Sequence, residues 1–225
     1  MVNKVRIAAV SDLHGMLPPI PDCDILLIAG DICPLSDHSP FGQMKWLQSS
    51  FEKWLDEIPA KEVVAVAGNH DWIFQKMPHM VPRLRWRYLQ DSGCGIEGLK
   101  VWGTPWQPPF FDWAFNMEEE GLRRKWSLIP DDTDILVTHS PPFGYGDEAL
   151  RKLTDENKEK WPDTEHTGSP SLTEKIKELP NLKLHVFGHI HRGYGRYEIG
   201  SKIVANVSLV NEKYQPVNEV MVFDI

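Results

Sequence analysis

Apolar residues recur along the chain in short unbroken runs, each followed by turn-forming or polar residues: VRIAAV at 5–10, DILLIAG at 24–30, EVVAVAG at 62–68, LKVWG at 99–103, DILVTH at 134–139 and LHVFGH at 184–189. Runs of Val, Ile and Leu without polar alternation predict strands buried on both faces. Between several of them lie segments with helical spacing. FGQMKWLQSSFEKWLDEI at 41–58 sets Met44, Leu47, Phe51, Trp54, Leu55 and Ile58 on one stripe,. SLTEKIKEL at 171–179 follows Pro170, with Ser171 and Glu174 spaced as a capping box,. Strand–helix–strand order predicts an α/β protein. Residues 194–225 show shorter runs, turn formers at Gly200 and Asn211 and no helical period, which predicts a more antiparallel segment in a second sheet,. Two stretches read as loop or lid: 105–116, dense in proline and aromatics, and 144–168, polar and charged. Its charged portion at 146–160 reads as a solvent-facing helix placed to act as a lid.

With 225 residues the chain fits one large domain, 1–225, and its 41% hydrophobic and 25% charged content is ordinary for a folded soluble protein,. No segment has the apolar length of a membrane span, and the apolar run near the start is too short for a signal-peptide core. Cys23, Cys33 and Cys94 form no CxxC pair and leave one over, which suits reduced thiols and a cytoplasmic location,. A formal charge of −8 argues against a broad basic surface for nucleic acid,. The sign says little about a metal site, where bound cations set the local charge.

The run at 184–189 ends in HVFGHIHRGYG. In extended chain, positions i and i+2 point to one side, so His189 and His191 can aim two imidazoles at one volume. The other runs end similarly: Asp12 and His14, Asp31, Asn69 with His70 and Asp71, and His139. Strands of an open α/β sheet gather their carboxyl ends at one rim, where such folds bind ligands. Singly, Asp12, Asp31 or Asn69 reads as well as a turn former or helix cap, and His139 as a buried, hydrogen-bonded histidine. That reading leaves the coincidence over five strands unexplained, and also the glycine before each of Asp31, Asn69 and His189. Oxygen and imidazole donors without thiolate suit manganese, iron, zinc, cobalt or nickel, and the number of donors suggests two ions with a carboxylate between them.

The ordered blocks DLH, GD, GNHD, TH and GHIH, spanning residues 12–191, resemble the calcineurin-like metallophosphoesterase superfamily, and the segments at 88–116 and 185–195 resemble its small metallophosphoesterase-domain-containing branch. The resemblance implies a four-layer αββα sandwich of two mixed sheets flanked by helices. It implies two divalent transition-metal ions, manganese first: Asp12, His14, Asp31 and His191 would hold one, and Asp31, Asn69, His139 and His189 the other. His70 would face the substrate phosphate, with Asp71 as the acidic partner that orients it and favours its imidazolium form. Two such ions would activate a bridging water for in-line attack on phosphorus, and a protonated His70 would stabilise the phosphorane-like charge or donate a proton to the leaving oxygen.

The expected function is therefore a dinuclear phosphohydrolase, most naturally a phosphodiesterase for small nucleotide or aryl diesters. A phosphomonoesterase or protein phosphatase, a single-strand nuclease and a non-catalytic scaffold are the alternatives. Trp106 and Phe110 in the aromatic loop are candidate stacking residues, against a local apolar cluster as the plainer reading. Arg192, beside the histidine pair, is a candidate phosphate contact, and His38 and His166 receive no role.

Overall fold

The computed structural model describes residues 4–150 and 163–225. In chain order the strands begin with β1 (Arg6–Val10), β2 (Ile25–Ala29), β3 (Glu62–Val66), β4 (Arg87–Tyr88), β5 (Ser92–Ile96), β6 (Leu99–Thr104) and β7 (Ile135–Thr138). There follow β8 (Glu148–Leu150), β9 (Thr164–His166), β10 (Leu184–Phe187), β11 (Gly195–Ile199), β12 (Lys202–Asn206) and β13 (Met221–Asp224). The helices are α1 (Pro40–Trp46), α2 (Glu52–Glu57), α3 (Trp72–Lys76), α4 (Glu119–Trp126) and α5 (Pro170–Glu178). All six apolar runs are strands. One sheet has the order β13-β1-β2-β3-β4 and the other β11-β12-β10-β7-β6-β5, with β8 and β9 forming a separate two-stranded antiparallel sheet.

Both large sheets are mixed. β1 to β4 run parallel with β13 antiparallel at the edge, while β12, β10, β7 and β6 run parallel between antiparallel β11 and β5. The two-residue period of each strand divides its side chains between separate cores. Ile7, Ile25, Leu27 and Val64 meet Val101, Ile135, Val137 and Val186 between the sheets. On the outer side of the first sheet, Ala8, Leu26, Ile28 and Val63 pack against Leu47, Phe51, Trp54 and Phe74. Outside the second, Leu136, Phe187 and Val204 meet Leu122 and Trp126 of α4 and Leu172 and Ile176 of α5. Helix, sheet, sheet and helix therefore stack in four layers, as the resemblance implies.

Several local expectations change. The helix expected at 41–58 is interrupted by a π-helical turn, Leu47–Phe51, which rephases the chain so that Leu47, Phe51, Trp54 and Leu55 stay buried on one side,. Helix α5 is capped by Ser169, not by the pair Ser171 and Glu174. The Ser169 hydroxyl accepts from the Leu172 amide at 3.2 Å, and Pro170 occupies the first helical position,. Ser171 instead donates its backbone N–H to Glu119 at 2.8 Å, tying α5 to α4. The tail divides: β11 and β12 form the expected antiparallel pair in the second sheet, but β13 returns to cover the edge of β1 in the first,. In the charged stretch, residues 148–150 are a strand rather than helix, and positions 151–160 lie outside the described residues.

β10 buries a histidine completely. Because the Thr138 hydroxyl donates to the Ser140 carbonyl at 2.6 Å, His185 Nε2–H donates to Thr138 Oγ1 at 2.9 Å, and its Nδ1 has no partner. Burial pushes the His185 pKa down from 6.5 to about 3. A depressed histidine contributes stability that is complete above pH 6.5 and is lost as pH falls toward 3, because the unfolded chain binds the proton first,. Wild type should therefore lose about 1 kcal/mol more stability than His185→Gln between roughly pH 6.5 and 5.5. Urea denaturation of both proteins at the two pH values checks this; parallel losses would refute it.

Candidate metal centre

The expected donors converge where the parallel strands of both sheets end. Past β1 and β2 the backbones remain paired: the Asp12 amide donates to the Gly30 carbonyl at 3.0 Å and the His14 amide to the Asp31 carbonyl at 2.8 Å. Asp12, His14, Asp31 and His189 all adopt left-handed φ angles, of 55°, 45°, 52° and 69°. For residues with a Cβ this costs about 1–2 kcal/mol each, and such strain gathers at functional sites. Surrounding bonds hold it in place. The Asp12 carboxylate accepts from the His189 amide at 3.1 Å and the Ser208 hydroxyl at 2.6 Å, and Asp31 Oδ1 accepts from the His70 amide at 2.8 Å.

Two glycines before the donors supply space. A Cβ on Gly68 would lie 2.2 Å from Asp31 Oδ1, and one on Gly188 would lie 2.3 Å from Asp12 Oδ2. The first position is filled by the Asp31 carboxylate and backbone and the second by the Ser11 hydroxyl together with the Asp12 carboxylate, so these glycines are required by close approach rather than by a left-handed turn,.

Hydrogen bonds at the back of the imidazoles define their tautomers. His139 Nδ1 lies 2.9 Å from the Ala29 carbonyl and His191 Nδ1 lies 3.1 Å from the Asn211 carbonyl. A carbonyl can only accept, so in the neutral rings the protons sit on Nδ1 and the Nε2 lone pairs face the centre. There His139 Nε2 meets Asn69 Oδ1 at 2.9 Å, His189 Nδ1 meets the same oxygen at 2.9 Å, and His14 Nε2 lies 3.4 Å from His191 Nε2. Asp31 spans the two groups, with Oδ1 3.6 Å from His139 Nε2 and Oδ2 3.7 Å from His14 Nε2. His191 Nε2 lies 3.5 Å from Asp12 Oδ1. Lone pairs directed at one another in a buried volume fit cations between them. Asp12, His14 and His191, and separately Asp12, Asp31 and His139, each present ligand atoms within 4.8 Å of one another.

The electrostatics agree. Burial raises the Asp31 carboxyl to about 6, opposed by His139 and reinforced by the charge on Asp12. Burial also pushes Asp12 up, but His191, His139 and His14 outweigh it and hold that carboxyl well below its usual range. Among the described residues the ion pairs of both carboxylates are with histidines, not with lysine or arginine. Two buried acids without a fixed cation are what a pair of metal ions would compensate.

Residues 5–193 match the calcineurin-like phosphoesterase family. The chain belongs to that family. It is a metallophosphoesterase, a phosphoric ester hydrolase. Metallophosphoesterase domain-containing protein 1 of Homo sapiens is 32% identical over 248 residues, covering 98% of this chain and 71% of that protein. A UPF0046 protein of Caenorhabditis elegans is 30% identical, covering 99% of this chain and 82% of its own. One solved structure superposes with a TM-score of 0.64 at 17% identity, covering 90% of each chain. A dimetal phosphatase from Danio rerio does so with a TM-score of 0.50 at 11% identity, covering 91% and 87%. These structures share the fold.

In this metallophosphoesterase His70 is buried at the centre, with Nε2 3.9 Å from Asp31 Oδ2. Two expectations about it are corrected. Asp71 makes no hydrogen bond to the His70 ring. Its carboxylate accepts from the amides of Ile32 at 3.0 Å, Cys33 at 2.8 Å and Gly68 at 2.8 Å, fastening the loop after β2 to the loop after β3. Nor is the imidazolium favoured: burial lowers the His70 pKa to about 4 against the opposing charge of Asp71, so the ring is neutral at pH 7 in the absence of ligands. Its Nδ1 faces His38 Nε2 at 3.2 Å, a contact that sequence reasoning missed.

The aromatic loop divides its roles. Trp106 is turned away from the cleft, its indole N–H donating to Asp91 at 2.9 Å and its ring packing on Phe115, so it is a structural residue and not a stacking surface. Phe110 does line the cleft, and Arg192 lies at its rim with Nε 3.7 Å from Glu212 Oε1. Tyr214 and Leu150 also line it. Neither ends an apolar run, so the strand-end signal that exposed the other residues is silent for them.

Proposed function

We propose that this metallophosphoesterase is a dinuclear phosphodiesterase acting on small nucleotide or aryl diesters. The observation that carries the preference is the lining of the cleft. Among the described residues that line it, Arg192 is the single lysine or arginine, paired with Glu212, while Phe110, Leu150 and Tyr214 supply apolar and aromatic surface. A diester carries one negative charge beside two organic groups, which suits such a cleft better than a dianionic monoester or a long phosphoprotein segment. The unpaired cysteines, two of them buried, support a reducing compartment such as the cytoplasm,.

Asp12, His14, Asp31 and His191 would hold one ion, and Asp31, Asn69, His139 and His189 the other. Manganese is the first candidate, with iron, zinc, nickel or cobalt as alternatives for the same donors. When bound, the pair supplies an activated water and a clamp for the phosphoryl oxygens. Asp31 keeps the two positions in register. His70 offers Nε2–H to the phosphoryl or leaving oxygen, and an arriving phosphate anion favours the protonated ring.

Metal-stripped protein reloaded with each ion and assayed on bis-p-nitrophenyl phosphate, p-nitrophenyl phosphate and cyclic nucleotides tests the reading. Diester hydrolysis should exceed monoester hydrolysis. Phe110→Ala should raise KM for a nucleotide diester about 5- to 100-fold, the worth of a base–aromatic stack, and leave metal content and a non-nucleotide alkyl diester almost unchanged. Preference for the monoester, or an equal loss on every substrate, would overturn it.

A further inference from the structure

His38 lies in the turn that starts α1, in the same connection after β2 that carries Asp31, and its ring is in contact with His70. We infer that His38 is a positioning residue that keeps the Nε2 proton of His70 directed into the metal centre. The inference rests on the substrate-facing role proposed for His70. Two neutral imidazoles sharing one hydrogen bond divide donor and acceptor between them. His70 presents Nδ1 to His38 Nε2 at 3.2 Å and Nε2 to Asp31 Oδ2 at 3.9 Å. When His38 donates its Nε2–H, Nδ1 of His70 must accept, which leaves the His70 proton on Nε2, on the side of the Asp31 carboxylate,.

The alternative tautomer has a chemical consequence. His14, Asp31 and His70 present ligand atoms within 4.8 Å of one another. A His70 ring that donated to His38 would turn a bare Nε2 lone pair toward those ligands and could be captured by an ion. The His38 bond thereby separates a hydrogen-bond donor for substrate from an additional metal ligand.

The surroundings of His38 preorganise this contact. Asp37 Oδ1 accepts from the Ser39 amide at 2.8 Å, and Ser39 Oγ accepts from the Gly42 amide at 3.1 Å to cap α1. Gln43, fully buried on α1, donates Nε2–H to the His70 carbonyl at 2.7 Å and accepts from the Ile73 amide at 2.9 Å. One side chain thus binds α1 to the turn that carries His70. Trp113 packs on both imidazoles, its ring 4.3 Å from that of His70 and 5.0 Å from that of His38. A carboxamide clamp and an indole wall are more than a chance surface contact would provide.

The test combines kinetics with NMR of nitrogen-labelled histidine in zinc-loaded protein, the His70 signals being assigned with His70→Asn. Wild type should show His70 protonated on Nε2, and His38→Ala should lose that preference. His38→Ala should lower kcat about 10- to 100-fold, as outer partners of site residues commonly do, with KM and metal content unchanged. His38→Gln, which still donates, should recover most of the loss. In the His70→Ala background His38→Ala should have no further effect. An equal loss in both backgrounds, an Nδ1-protonated His70 in wild type, or turnover within about twofold of wild type in His38→Ala while His70→Ala collapses, would overturn the inference. If His70→Ala itself kept full turnover, the role of His70 would fail separately, and the tautomer measurement would still decide the function of His38.

Discussion

Asp31→Asn should abolish hydrolysis while leaving a folded and, without metal, slightly more stable protein. The two oxygens of Asp31 face different donors, Oδ1 toward His139 and Oδ2 toward His14 and His70. An amide keeps one acceptor for the His70 backbone N–H but loses the negative charge and the second acceptor, so it cannot serve both groups. Turnover should fall by about a thousandfold or more, as when a principal electrostatic contributor to a transition state is removed. Bound metal should fall from two ions per chain to about one or none. Stability should move the other way. Burial already drives the Asp31 carboxyl to about 6, so a neutral side chain relieves a desolvation penalty that only cations offset,. His189→Ala should remove turnover as well, since its ring meets Asn69 on the same side as His139. Elemental analysis, steady-state rates and a thermal melt without metal check the set. Near-wild-type turnover in either folded variant would refute the dinuclear assignment.

His70→Ala should behave differently: both ions retained, turnover reduced about 100- to 10,000-fold, and a larger reduction for alkyl esters than for nitrophenyl esters. The reasoning begins with geometry. His70 Nε2 lies 3.9 Å from Asp31 while its Nδ1 is engaged by His38, so one face is available to a reacting oxygen. A basic alkoxide needs a proton as it departs and a nitrophenolate hardly does, which makes the leaving group the discriminating variable. Rates for a series of diesters of graded leaving-group basicity, read together with metal content, would separate the outcomes. Equal losses across the series would limit His70 to electrostatic stabilisation, and loss of metal would make it a ligand.

Asp71, Trp106 and His38 show where reading residues in order loses its force. Asp71 stands beside His70 in sequence, yet the turn directs its carboxylate at the Ile32 and Cys33 amides of the neighbouring loop and the Gly68 amide of its own. Trp106 belongs to a loop that contributes Phe110 to the cleft, yet its indole is fixed on Asp91. His38 carries no strand-end signature. The serine–proline start of α1, Ser39 followed by Pro40, does place it at the head of a helix, which is the one local clue to its position,.

The sequence by itself determined the six buried apolar strands, the order of the donors and the family. Unbroken apolar runs have few ways to be buried, and a donor at the carboxyl end of a parallel strand is carried to the common rim whatever the details of packing. Tertiary structure alone decided which way each side chain at that rim faces. The carbonyls behind His139 and His191 come from Ala29 and Asn211, and the carboxylates beside Gly68 and Gly188 from Asp31 and Asp12. The partner of His70 likewise comes from the turn before α1. Each orientation depends on an atom contributed by a distant loop, and local residue order does not encode such a meeting until the two sheets have packed.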